Sequence, residues 1–316
     1  MAGRAEGEEL PDDQEGPPVP DQVQCLRDAT ELPVGAHGVS LSTLVENKKL
    51  LVDFLNKKVL ASSDMSHTLR VRRLAWAGLE ISLGDLRLLI DPLENAEPLA
   101  PAMGVPRRPL PPVEILPGTH ALITHLHPDH YDHGVLARIG GEGTVGCHEP
   151  VAAALIDAGL PVVAQKIGQT RDLGGLTVTP VTSLDWRGND ADQVAWIVAG
   201  GGRCIIHCGD TMWHGSWWQI ARDHGPFDVA FVPVNGVIAR FEGYEANVPV
   251  TMTPEQGVEA AVALGAGAVC AIHYGLFDNP PTYVEQPDIE NRFRNAASER
   301  GITAILAADG EPVVLR

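Results

Sequence analysis

A chain of 316 residues with 44% hydrophobic content can bury a substantial core, and one large domain with a tail is the simplest fit. Its formal charge of -18, with no Lys/Arg stripe to offset it, excludes a protein that holds nucleic acid by counterion release. Five cysteines without a Cys-x-x-Cys pair suit reduced thiols in a cytoplasm, and no stretch approaches the roughly 20 apolar residues of an integral membrane segment.

Residues 1–30 form an acidic, proline-rich tail that is expected to be disordered, because it has too few large apolar groups to offset ordering entropy, and it lacks the basic start of a signal peptide. Residues 31–68 read as a helical extension. Leu41, Leu44, Val45, Leu50, Leu51, Phe54 and Leu55 recur there at near-helical spacing, either laid against the main domain or serving as a partner-binding arm. The main domain is expected over 69–316.

From Leu69 the period shifts to two. Leu69–Trp76, Leu79–Leu83 and Leu86–Ile90 read as consecutive strands, with Gly78 and Gly84-Asp85 as turns and Asp91-Pro92 as the break. The many prolines of 93–119 mark a long irregular segment, more often a lid or binding loop than filler. Ala121–Thr124 reads as a short buried strand that ends at His125-Leu126-His127-Pro128-Asp129-His130. On extended backbone His125 and His127 point to the same side, whereas Asp129 and His130 follow the Pro128 bend and aim at a second point. The stretch therefore looks like half of a two-metal site.

Beyond it, Tyr131–Ile139 and Pro150–Ala158 are expected helices flanking a strand at Val145–Cys147, and His148 reads as structural or as a ligand. Strands follow at Leu176–Ser183, Val194–Ala199 and Arg203–His207. Cys208 reads as a small buried residue. Trp213, Trp217 and Trp218 lie around a helical Ser216–Arg222 and either wall a pocket or pack in the core. Thr253 caps a helix over Pro254–Leu264, which leads into strand Ala268–Ile272 and His273. A final helix, Asn291–Arg300, and strands Thr303–Ala307 and Pro312–Leu315 close the chain. Periodicity alone gives mixed α and β.

The segment Thr124–His130 resembles the signature of the metallo-β-lactamase superfamily, as do Cys208-Gly209-Asp210-Thr211 after an apolar strand and Ala271-Ile272-His273-Tyr274-Gly275 further on. The similarity runs over residues 70–316 and is strongest to the branch of ascorbate-6-phosphate lactonase-like and N-acyl-phosphatidylethanolamine phospholipase D-like proteins. It implies an α/β fold of the αββα four-layer sandwich type and two divalent transition metal ions, zinc, manganese or iron. By this resemblance His125 and His127 hold the first metal, Asp129, His130 and His273 the second, and Asp210 bridges them. A water between the metals becomes the nucleophile, with Asp129 and His130 as the catalytic residues. Trp213, His214 and Tyr274 are the substrate-binding candidates, with His207 and Tyr131 behind them, and Asp91 either orients a ligand histidine or caps a turn.

In one place the chain departs from that pattern. Asp185 stands before Trp186 where the branch carries a metal-binding histidine. Either it is a ligand that biases the site toward manganese or iron, or it caps a turn. The function implied is a metal-dependent hydrolase of a small anionic ester, lactone or phosphodiester. The alternative is a metal-binding relative without hydrolysis that acts as a binding or regulatory module. A small-molecule substrate is the expected partner, and the sequence is compatible with a homo-oligomer.

Overall fold

The period-two run after residue 69 forms an antiparallel meander of β1 (Arg70–Arg73), β2 (Leu79–Leu83) and β3 (Leu86–Ile90). The structure, a computed structural model, describes residues 67–315 apart from 189–191, 242 and 244–246. The acidic tail and most of the helical extension expected before the meander lie outside the described residues. After the meander come β4 (His120–Leu122), β5 (Val145–His148), β6 (Val162–Gln165), β7 (Arg171–Asp172), β8 (Thr177–Thr182), β9 (Val194–Gly200) and β10 (Arg203–His207). They are followed by β11 (Phe227–Pro233), β12 (Ile238–Ala239), β13 (Ala266–Ile272), β14 (Tyr283–Val284), β15 (Thr303–Ile305) and β16 (Pro312–Val313).

One seven-stranded sheet runs β16-β1-β2-β3-β4-β5-β6, a second runs β15-β13-β11-β10-β9-β8-β7, and β12 pairs with β14 in a small ribbon. Side-chain alternation explains how the two sheets face each other. Leu79, Ile81, Leu88 and Ile90 of the first sheet share a buried cluster with Trp196, Val198, Ile205, Val229, Phe231 and Cys270 of the second. The intervening residues point outward to helices. Leu89, Ala121 and Val145 pack under α2 (His133–Leu136) and α3 (Ala152–Asp157), which come after α1 (Ala100–Met103) in the chain. Ile206, Ala230, Val232, Val269 and Ala271 pack under α4 (Trp217–His224), α5 (Pro254–Ala263) and α6 (Ile289–Arg300). The result is the four-layer αββα sandwich. No helix among the described residues is long and apolar enough to cross a membrane.

Several elements differ from the sequence reading for physical reasons. The first strand stops at Arg73, because Leu74 N–H bonds Gly78 O at 2.8 Å and the backbone turns through Trp76 at φ 58°. The helix expected over Tyr131–Ile139 shrinks to α2, started by Asp132 Oδ1 accepting from Val135 N–H at 3.2 Å. Strand β11 has no counterpart in that reading. It lies inside the sheet between parallel β10 and β13, with Val229 and Phe231 against the opposite sheet and Ala230 and Val232 under the helices, so both faces are covered and Phe227–Pro233 carries no alternation to detect. The Thr253 cap of α5 is present as read, and Gln256 completes it as a capping box, the two exchanging side-chain-to-backbone bonds.

Trp196 links the core to the edge where the histidines begin. It is fully buried, and its indole N–H donates to Ile123 O at 3.0 Å. Trp196→Ala is expected to lower unfolding free energy by about 3–5 kcal/mol and Trp196→Phe by much less, as read from denaturant midpoints at constant m-value.

Candidate metal centre

Because β3 and β4 are parallel neighbours with Ile90 opposite Leu122, their C-terminal ends leave the sheet side by side. Asp91 follows Ile90 directly, at φ 45°, and is wholly buried. One of its oxygens accepts from Thr124 N–H at 2.8 Å, and the other accepts from Thr124 Oγ1 at 2.6 Å and faces His130 Nδ1 at 2.8 Å. The carboxylate thus accepts from His130 Nδ1–H and turns Nε2 toward the other donors. Asp91 therefore holds the His130 ring as well as the Thr124 backbone. Burial raises its pKa, but the bonds and charge of His130 and the Thr124 hydroxyl outweigh it and hold the carboxyl below its usual range.

The histidine loop, Asp185, Asp210 and His273 converge from the C-terminal ends of β4, β8, β10 and β13. They form two groups whose donor atoms lie within 4.8 Å of one another: His125, His127, Asp185 and Asp210, and Asp129, His130 and His273. In the first, Asp210 Oδ1 lies 3.6 Å from His125 Nε2, and His127 Nδ1 lies 3.7 Å from Asp185 Oδ2 and 3.9 Å from Asp210 Oδ2. In the second, Asp129 Oδ2 lies 3.2 Å from His273 Nε2 and 3.5 Å from His130 Nε2. Asp210 Oδ2 is also 4.0 Å from His130 Nε2, so this carboxylate sits between the groups. Trp76 fixes the second group: its indole donates to Asp129 Oδ2 at 3.0 Å, and its carbonyl accepts from His273 N–H at 3.2 Å.

Four of these atoms fit a cation better than they fit one another. His125 Nε2, His130 Nε2, Asp185 Oδ2 and Asp210 Oδ1 are buried and have no hydrogen-bond partner. Such orphaned acceptors are expensive in a folded chain, and a mixed imidazole and carboxylate set is what divalent transition metals take. Charge tells the same story. Burial drives His125 down to about 3. Burial would lower His130 too, but Asp129, Asp91 and Asp210 raise it to about 10. Burial and the nearby Asp210 push Asp185 up to about 6. Asp185 Oδ1 caps a turn by accepting from Arg187 N–H at 2.7 Å, and its Oδ2 lies 3.7 Å from His127 Nδ1.

Sequence comparison with known families matches residues 86–274, more than half of the chain, to the β-lactamase superfamily domain. The chain belongs to the β-lactamase superfamily. A Mycobacterium tuberculosis protein of uncharacterized function is 28% identical over 261 residues, 76% of this chain and 68% of its own. A Thermococcus onnurineus protein named as a metal-dependent hydrolase is 27% identical over 219 residues, 67% of this chain and 86% of its own. Among solved structures, the isothiocyanate hydrolase from Delia radicum gut bacteria aligns with TM-score 0.61 at 17% identity, over 78% of this chain and 98% of that one. The diiron β-hydroxylase CmlA of Streptomyces venezuelae aligns with TM-score 0.60 at 17% identity, over 79% of this chain and 54% of that one. These structural likenesses concern the fold.

In this superfamily member His127, Asp129, Asp210 and His273 open into a cavity of about 640 Å³. Pro98, Leu99, Ala102 and Met103 form part of its wall, so the proline-rich loop after Asp91 does border the site. Trp213, His214 and Tyr274 do not line it. Trp213 is partly exposed, His214 stacks on Trp217 with ring centroids 3.7 Å apart, and Tyr274 faces other cavities. Those three followed ligands in sequence, but the strand ends turn just after each ligand and carry the next side chains elsewhere. Trp186, Arg187, Phe241, Thr251 and Tyr283 line the cavity instead. His207 is structural, with Nε2 2.8 Å from Ala77 O, and His148 and Cys208 belong to neither group. Trp76 had one usable signal: a large ring between two alanines just before Gly78, where a turn must bury it.

Asp91→Asn keeps the volume but replaces one acceptor oxygen with a donor. It is expected to weaken metal retention about 10–100-fold, measured by competition with a chromogenic chelator, while Thr124→Ala has a smaller effect.

Proposed function

We propose that the chain is a metal-dependent hydrolase that uses two divalent transition metal ions on a small anionic ester, lactone or phosphodiester. The observation that carries this reading is the set of buried, unpartnered His and Asp donor atoms beneath one open cavity. His125, His127 and Asp185 would hold one ion, Asp129, His130 and His273 the other, with Asp210 between them. When bound, such ions supply Lewis-acid charge and make water a competent nucleophile near neutral pH.

The chain's own residues supply the rest. Among the described lining residues there is neither serine nor cysteine, which fits attack by water rather than by a side chain. Asp129 is fixed by Trp76 and His273, so its carboxylate can receive and orient a water proton without moving. Arg187 brings a cation to the cavity wall, which suits an anionic substrate. The ester, lactone and phosphodiester classes come from the resemblance to the two branches named above. The name of the Thermococcus onnurineus relative, a metal-dependent hydrolase, agrees with the reaction type.

Elemental analysis with a panel of chromogenic esters, lactones and phosphodiesters tests the reading. Bound metal with no turnover of any class would favour a binding module. Asp185 gives the sharper test. As a hard ligand it should favour manganese or iron, and Asp185→Ala should lose about one of two metal equivalents with most of the activity. Asp185→His should shift preference toward zinc. Unchanged metal content in Asp185→Ala would remove it from the ligand set.

A further inference from the structure

The cavity wall holds one polar group whose hydrogen-bond direction is dictated from behind. Tyr283 is buried, 4% exposed, and lines the cavity with Asp129, Asp210 and His273. It is carried over the site by the ribbon, where it pairs with Ala239. Behind it lies Asn235, wholly buried, and beyond that Thr251, which is also buried and lines the cavity.

The direction of this chain of bonds follows from its chemistry. The Thr251 hydroxyl bonds Asn235 Oδ1, and a carbonyl oxygen can only accept, so Thr251 is the donor. On the other side of the same amide, the Asn235 Nδ2 group faces Tyr283 Oη at 2.9 Å. An amide nitrogen can only donate, so the phenol oxygen is the acceptor there. Its own hydrogen is therefore left over. Among the described residues no acceptor is paired with it, and Tyr283 lines the cavity. Burial, reinforced by the Asp129, Glu285 and Asp210 carboxylates, holds the phenol well above its usual pKa, so the hydrogen is present across the neutral range.

We propose that Tyr283 is a catalytic residue that donates its phenolic hydrogen to the substrate oxygen gaining negative charge during attack, and that Asn235 and Thr251 are positioning residues that aim it. Tyr283 neither gains nor loses a proton in this role. It stabilises developing charge from a fixed position, which is where a donor is worth most. The proposal rests on the hydrolase reading for its catalytic part, but the oxyanion contact itself is testable without turnover.

The test uses the full chain as purified with its metal. Tyr283→Phe should keep metal content while kcat on the chromogenic substrate the wild type turns over falls about 10²-fold, with KM little changed. Asn235→Ala, which frees the ring but keeps the phenol, should lose less than Tyr283→Phe. A purely structural Tyr283 would make the two variants lose alike. The readout independent of turnover is inorganic phosphate binding by calorimetry, where Tyr283→Phe should weaken affinity about tenfold. If the wild type hydrolyses nothing yet the phosphate difference appears, the hydrolase reading fails and the donor stands. Equal phosphate affinity in wild type and Tyr283→Phe, or no phosphate binding by the wild type, would overturn the proposal.

Discussion

A carboxylate with no access to water must find partners for its oxygens or be destabilised by several kcal/mol, and Asp91 finds all of them on one short segment. Its bonds to Thr124 N–H, Thr124 Oγ1 and His130 Nδ1 tie the end of β3 to the end of β4 and to the far side of the Pro128 bend. Each contact constrains a different feature. The Thr124 pair sets where β4 stops and the histidines begin, and the His130 contact sets one ring's tautomer and direction. The left-handed backbone at Asp91 is the conformation that brings the carboxylate under Thr124, and aspartate adopts it more readily than most residues.

From that anchor the site is built as one charge-balanced unit. Asp91, Asp129, Asp185 and Asp210 face His125, His127, His130 and His273, and of these only His127 is appreciably exposed. Without a cation the balance falls to protons on imidazoles, and the opposite displacements of His125 and His130 show how unevenly they share that load. A cation in each group would satisfy the orphaned nitrogens and oxygens together, releasing protons as it bound. The two-sheet scaffold suits this arrangement, since β4, β8, β10 and β13 bring their C-terminal ends to one edge and donors far apart in sequence meet over rigid backbone.

What was legible in the sequence was the chemistry concentrated in short segments. His125 to His130 alternates and bends within six residues, and Asp210 and His273 each follow an apolar strand, so these positions could be placed from local pattern. Asp185 was legible as a departure, and the structure shows why both of its readings were reasonable, since one oxygen caps the turn while the other faces His127. Beyond the proline-rich loop after Asp91, the cavity wall was not legible. Tyr283 sits in a two-residue strand with no periodicity, and Trp186, Phe241 and Thr251 meet it only through the fold. Strand β11 was hidden for a different reason: covered on both faces, it is buried at every position but Asp228 and has no period to read.

The proposed hydrolase requires two cations, one in each group, with Asp210 between them. Anomalous diffraction from crystals of the metal-loaded protein, collected above and below the absorption edge of the bound metal, tests it most directly. Two peaks are predicted, one among His125, His127, Asp185 and Asp210 and one among Asp129, His130, His273 and Asp210, about 3.5–4 Å apart as two-metal sites are. A single peak, or peaks away from these side chains, would contradict the claim.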